Sequence, residues 1–159
     1  MKPVLISLAF AALVAFSAPA LADEAASPSA AKSPVETVVA FGAALETGDE
    51  PALVSLLAAD VQIAESGGLE RSLEEYRPHH MAADIAFSKA VETTVLNRRV
   101  YEGGGLVTIL TESVSKGTFR DKPVNSRLME TMVLQETGGA WKIVHIHWSS
   151  ASLATDHDH

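Results

Sequence analysis

The stretch Gly138-Gly139-Ala140-Trp141-Lys142-Ile143-Val144-His145-Ile146-His147-Trp148-Ser149-Ser150 reads as a tight turn feeding a long β-strand. Paired glycines supply the φ > 0 positions of a hairpin, and Val, Ile and Trp in close succession favour a pleated, buried surface. Strict alternation puts Trp141, Ile143, His145, His147 and Ser149 on one face and Lys142, Val144, Ile146, Trp148 and Ser150 on the other. A strand of this length must pair, and the chain upstream offers three of similar length. Val91 to Tyr101, Leu106 to Phe119 and Val124 to Gln135 are strand-like runs separated by Glu102-Gly103-Gly104-Gly105 and Asp121-Lys122-Pro123. So long a meander in so small a domain has to curl, with Gly103 to Gly105 and Gly117 as the expected bends.

Before the meander the pattern is helical. Ser33-Pro34-Val35-Glu36 combines an N-cap serine, a first-turn proline and a capping-box glutamate, and Gly48 supplies the stop. Val35, Val38, Gly42 and Leu45 form the expected apolar stripe, its glycine leaving room for a close neighbour. Asp49 caps a short second helix with Leu53, Leu56 and Leu57, and a short strand follows from Val61 to Glu65. Ser72-Leu73-Glu74-Glu75 opens a third helix, in which Pro78 predicts a kink or restart because proline removes a backbone hydrogen bond. Helices followed by long antiparallel strands make this an α+β chain of four long strands, one short strand and three N-terminal helices.

The first 22 residues carry Lys2, an apolar run from Val4 to Phe16 and Ala20-Leu21-Ala22, the layout of a cleavable secretory signal. A periplasmic or secreted location is therefore expected. Residues 23–33 read as a flexible leader, 34–151 as one domain and 152–159 as a disordered acidic and histidine tail. Without its signal the chain has 11 basic against 20 acidic residues, a formal charge of −9 that argues against nucleic acid or anionic membrane surfaces as partners. There is no cysteine, hence no disulfide and no thiol nucleophile.

Helix, short helix, strand, helix and a curled four-stranded meander ending in Gly-x-Trp-Lys-Ile-Val-His-x-His-x-Ser resembles the nuclear transport factor 2-like, or SnoaL-like, superfamily. Glu130-Thr131, Gly139-Ala140-Trp141 and His145-Ile146-His147-Trp148-Ser149 are similar to the association (hub) domain of calcium/calmodulin-dependent protein kinase II. The resemblance implies a cone-shaped sheet wrapped around the helices, a pocket between them and a homodimer formed through the outer sheet face. Met132 and Trp148 stand where that hub domain has arginines, so its anion binding is not expected here.

Three constellations bear on chemistry. His145 and His147 alternate on one strand face and could chelate an ion; a hydrogen-bonded role at a subunit interface is the simpler expectation. Glu130 lies in an apolar row with Leu128, Met132 and Leu134, the surroundings that raise a carboxyl pKa. If Thr137 to Gly139 is the loop, Glu130 lies opposite Ile146; if Ala140 joins the loop, opposite His147. Tyr76, His79 and His80 on the third helix, with Asp84 as a hydrogen-bond partner for His80, could face Ile146 and Trp148 across the cavity, with Glu65 and Arg127 at its mouth. These residues and Met132 make an apolar cleft with a few polar groups. The leading expectation is an exported, dimeric module binding a small apolar or mixed-polarity molecule without a cofactor. The alternatives are an isomerase, dehydratase or hydrolase using His80 or Glu130 as acid–base group, and a periplasmic metal-binding protein.

Overall fold

The structure, a computed structural model, describes residues 33–153. The expected signal peptide, most of the leader and the end of the tail lie outside the described residues. Helices α1 (Pro34–Thr47) and α2 (Glu50–Leu56) lead into strands β1 (Leu57–Glu65) and β2 (Gly68–Glu70). Helices α3 (Leu73–His79) and α4 (Met81–Ala90) follow, then β3 (Val91–Gly103), β4 (Leu106–Phe119), β5 (Lys122–Thr137) and β6 (Ala140–Ser152). Side-chain caps start three helices: Ser33 Oγ accepts from Glu36 N at 3.2 Å, Asp49 Oδ1 from Ala52 N at 3.0 Å, and Ser72 Oγ from Glu75 N at 3.1 Å. Each cap occupies one otherwise orphaned amide of the first turn.

The strands form one six-stranded sheet in the order β2-β1-β6-β5-β4-β3. Two expectations change here. Among the described residues there are four helices and six strands, because β2 is a three-residue return strand and the third helix is two. The sheet is also mixed, since β1 runs parallel to β6. Helix α3 runs on past Pro78 and ends at His79, and α4 restarts on the carbonyl of His80, which accepts from Ala83 N at 2.8 Å and Asp84 N at 3.0 Å. At the other boundary β6 continues through Ser152, and Leu153 N donates to Asn125 O at 2.8 Å.

All four hairpins turn on two residues with positive φ: Ser66-Gly67, Gly104-Gly105, Arg120-Asp121 and Gly138-Gly139. Loops of this hand match the right-handed twist of the strands they join. Bulges without glycine add to the twist of the sheet. Leu96 in β3 and Val144 in β6 are each an extra residue left without a partner in the ladder.

The concave face and the helices share the core. Val38, Phe41 and Leu45 of α1, Leu53 of α2 and Tyr76 of α3 pack with Ile109, Met132, Leu134, Ile143 and Ile146 from the sheet. Each aliphatic side chain buried this way contributes about 1.5–3 kcal/mol. The α1 stripe runs through Thr37, Val38, Phe41, Ala44 and Leu45, and Gly42 faces open space, so no close approach occurs there. The tight glycine is Gly117, where an added Cβ would lie 2.8 Å from Ala90 O and 3.0 Å from Val91 Cα. Gly117→Ala must push apart β4 and the α4–β3 junction. A loss of about 1–3 kcal/mol is expected, read as a lower urea midpoint at unchanged slope.

Candidate functional site

Every strand from β1 to β6 except β2 contributes one side chain to a single row across the concave face. In register, Glu65 pairs with Trp148, Trp148 with Glu130, Glu130 with Thr111, and Thr111 with Arg98. The neighbouring row on one side is apolar: Ile63, Ile146, Met132, Ile109 and Val100. On the other side lie Ser150, Leu128, Ser113 and Val95, then Ser152, Ser126, Ser115 and Thr93. The polar row thus divides a dry half of the cone from a hydroxyl-rich half whose β6 end is exposed.

Glu130 is the centre of the row. Its Oε2 accepts a 3.0 Å hydrogen bond from the indole Nε1 of Trp148, whose ring stacks on Phe41 of α1 with centroids 6.4 Å apart. Burial raises the Glu130 pKa, while the indole bond, the Arg98 charge and the Thr111 hydroxyl each pull it down. Burial wins, because none of these partners neutralises the carboxylate by direct contact. Glu130 can therefore hold or release a proton nearer neutrality than an exposed glutamate.

A second carboxyl lies under the helices. Tyr76 is fully buried, and its hydroxyl donates to Asp84 Oδ2 at 2.8 Å. Burial pushes Asp84 up to about 6; the Tyr76 bond and the His80 charge oppose the shift, and Glu65 adds to it. Burial, the Asp84 charge and the bond to it hold the Tyr76 hydroxyl well above its ordinary value, so it is a donor and not a base. Asp84 is thus the partner of Tyr76, whereas His80 contacts Glu70 of β2.

The structure brings Tyr76, Glu130, Met132, Ile146 and Trp148 to the concave side, with Met132 and Ile146 at 1% and 0% exposure as parts of its wall. Glu65 belongs to the same row but is exposed at the β1 end. His79 and His80, expected to face the cavity, are both exposed, since the helix breaks at His80 and turns its ring toward β2. Arg127, expected at the mouth, alternates with inward Ser126 and Leu128, so it lies on the convex face, bonded to Glu112 at 2.8 Å. His145 and His147 also lie on the convex face, opposite Val133 and Thr131. Among the described residues no group of three or more His, Cys, Asp or Glu side chains is placed to hold a metal ion.

Neither expected register holds. The loop is Gly138-Gly139 alone, and the extra residue Val144 then moves Glu130 on to Trp148. Sequence reading also missed Thr111, which faces inward by plain alternation along β4, and Arg98, whose place in the row follows from the bulge at Leu96. Surface grooves of about 310 Å³ beside Leu96 and Val114 and about 500 Å³ beside Lys89 and Val91 do not touch this row.

Asp84 gives a stability prediction with a definite sign. Its folded pKa stands above the unfolded value, so the folded state binds the proton more tightly and stability is greatest below about pH 4 as far as this group is concerned. That contribution is lost as pH rises through about 6. Asp84→Asn keeps an oxygen for the Tyr76 hydroxyl and removes the titration. Its unfolding free energy should exceed that of the wild type by about 1–2 kcal/mol at pH 8 and converge with it at pH 4. Equal pH profiles in urea titrations would refute the assignment.

The SnoaL-like domain family matches residues 35–153. A solved ketosteroid isomerase-like protein from Shewanella frigidimarina is 41% identical, covering 71% of this chain and 91% of its own, at a TM-score of 0.69. The hub of the S. rosetta calcium/calmodulin-dependent protein kinase II is 22% identical over 79% of this chain and 98% of its own, at a TM-score of 0.65. The C. elegans association domain is 20% identical over 72% and 91%, at 0.59. A comparison with curated proteins found no match. At these identities the hub domains share the fold alone, whereas the family match and the Shewanella relative agree over nearly all the described residues. The chain belongs to the SnoaL-like domain family.

Proposed function

We propose that this domain binds a small molecule of mixed polarity against the concave face, with Glu130 as the polar anchor and Trp148 and Phe41 as the apolar wall. The observation that carries the reading is the Glu130 carboxyl itself. It is half-buried beside Met132 and Ile146, accepts a hydrogen bond from Trp148 and has no cation in direct contact among the described residues. A carboxyl placed so costs stability that its hydrogen bonds offset only in part, and in its acid form it donates to a carbonyl or hydroxyl oxygen. The Trp148 ring links this carboxyl to α1, bonding Glu130 through its N–H and stacking on Phe41. No cofactor is needed for such binding. The secretory pattern at the N-terminus supports export, and the family resemblance supports a homodimer through the convex face. Light scattering at micromolar concentration tests the dimer, and a monomer mass would reject it.

A second reading, proton-transfer catalysis, is favoured by the two carboxyls with raised pKa and by the ketosteroid isomerase-like Shewanella relative. Isomerisation removes a proton from carbon and returns it elsewhere, which needs a base near neutrality and a donor for the substrate oxygen. Asp84 at about 6 suits the first role, and protonated Glu130 the second.

Ketosteroids and other small carbonyl compounds, screened by thermal shift and native mass spectrometry, separate the two. A binder should raise the melting temperature, lose at least about tenfold in affinity on Trp148→Ala and consume nothing. An isomerase should convert its ligand and lose about 10²-fold or more in turnover, with affinity largely kept, on Glu130→Gln. If no compound in the screen binds the wild type more tightly than Trp148→Ala, the concave site is not the binding site.

A further inference from the structure

We propose that Arg98, acting through the Thr111 hydroxyl, is the positioning residue that holds the Glu130 carboxyl in its place and governs when it ionises. Three observations carry this. The first is the strand irregularity. Val91, Thr93 and Val95 face the concave side, opposite Gly117, Ser115 and Ser113, so plain alternation would send Asn97 inward and Arg98 outward. The unpaired Leu96 reverses the order beyond it and brings Arg98 inward, opposite Thr111. A bulge that re-aims one side chain is a common device beside functional groups.

The second is the direction of the hydrogen bond. Arg98 Nε donates to Thr111 Oγ1 at 3.2 Å, and Thr111 is only 4% exposed. A hydroxyl that accepts from a guanidinium still has its own single hydrogen to give. Thr111 lies directly opposite Glu130 across the β4–β5 ladder, so that hydrogen has a carboxylate within the same row. The guanidinium then donates to the hydroxyl and the hydroxyl to the carboxylate from one side, while the indole donates to the same carboxylate from the other.

The third is the charge inventory around Glu130. On the concave face, β3 offers the permanent cation Arg98 and β1 offers Glu65, an anion beyond Trp148. From β4 comes Thr111, from β6 Trp148, and from α1 the uncharged Phe41 behind the indole. The helical carboxyl Asp84 is held by Tyr76. Arg98 is therefore the cation that opposes burial at Glu130, and it does so one hydroxyl away instead of by a direct ion pair. Both the Arg98 charge and the Thr111 bond favour the carboxylate, in agreement with this geometry.

The functional meaning of the inference rests on Glu130 being the anchor proposed above, but its test needs no ligand. The side-chain carboxyl carbons of ¹³C-glutamate-labelled full-length protein are followed by NMR from pH 3 to 9, with Glu130→Gln identifying the Glu130 signal. Arg98→Gln and, separately, Thr111→Val should raise the Glu130 midpoint by at least about half a pH unit. Arg98→Lys keeps the charge and should bring the midpoint most of the way back toward the wild type. A merely structural arginine would change thermal stability without moving the midpoint in variants that keep the wild-type amide spectrum. A smaller shift in folded Arg98→Gln, or a Lys variant that behaves like the Gln variant, would overturn the proposal. A barren ligand screen leaves this titration unaffected, and a flat titration leaves ligand binding untouched, so the two failures are distinguishable.

Discussion

One extra residue in the last strand organises the interior. Between the pairs Leu134–Ile143 and Val133–His145, Val144 has no opposite number. Ile143 and Ile146 consequently both face inward, at 0% exposure each, although they stand an odd number of residues apart. Without the bulge, a strand that buries Ile143 beside Leu134 would present His147 to Glu130, and Ile146 would lie in solvent. With it, the strand continues the core past the irregularity and offers Trp148 as a hydrogen-bond donor to Glu130. Because a one-residue slip inverts every side chain beyond it, this local feature decides both the core and the polar row.

The second bulge, at Leu96, does the same at the other side of the sheet by turning Arg98 inward. The two irregularities are complementary. One supplies the indole at one side of Glu130, and the other supplies the guanidinium that reaches it through Thr111. Bending the strands and aiming these side chains are a single structural act, since a bulge increases local twist while changing side-chain parity. The cone shape and its polar belt therefore have a common origin.

The belt also marks a boundary in solvation. Toward the helices lie Ile63, Ile146, Met132 and Ile109, all nearly inaccessible. Away from them lie serines and threonines, among which Thr93 Oγ1 and Ser115 Oγ are 2.7 Å apart. Small hydroxyl side chains on a concave sheet leave room that Leu or Phe would fill. A SnoaL-like domain with such a face has an apolar floor, a titratable belt and a polar approach, the combination that small-molecule recognition uses.

Much of this was legible in the chain. Ser33, Asp49 and Ser72 predict helix starts because a capping side chain and the amide it satisfies are three residues apart, a strictly local relation. Leu106 to Phe119 was readable to the residue, since the turn residues Gly103-Gly104-Gly105 and Asp121-Lys122-Pro123 bound it on both sides. The apolar row containing Glu130 was equally visible, because period two follows from the pleat alone. Three things were not legible: the partner of Glu130, the side on which His80, Arg127 and Arg98 lie, and the mate of Asp84. Each depends on the summed register of several strands or on where a helix breaks, and no residue announces a bulge made by Leu96 or Val144. Local chemistry determined the elements and the unusual carboxyl; only the tertiary pairing decided which side chains meet it, because parity is a property of the sheet and not of any one strand.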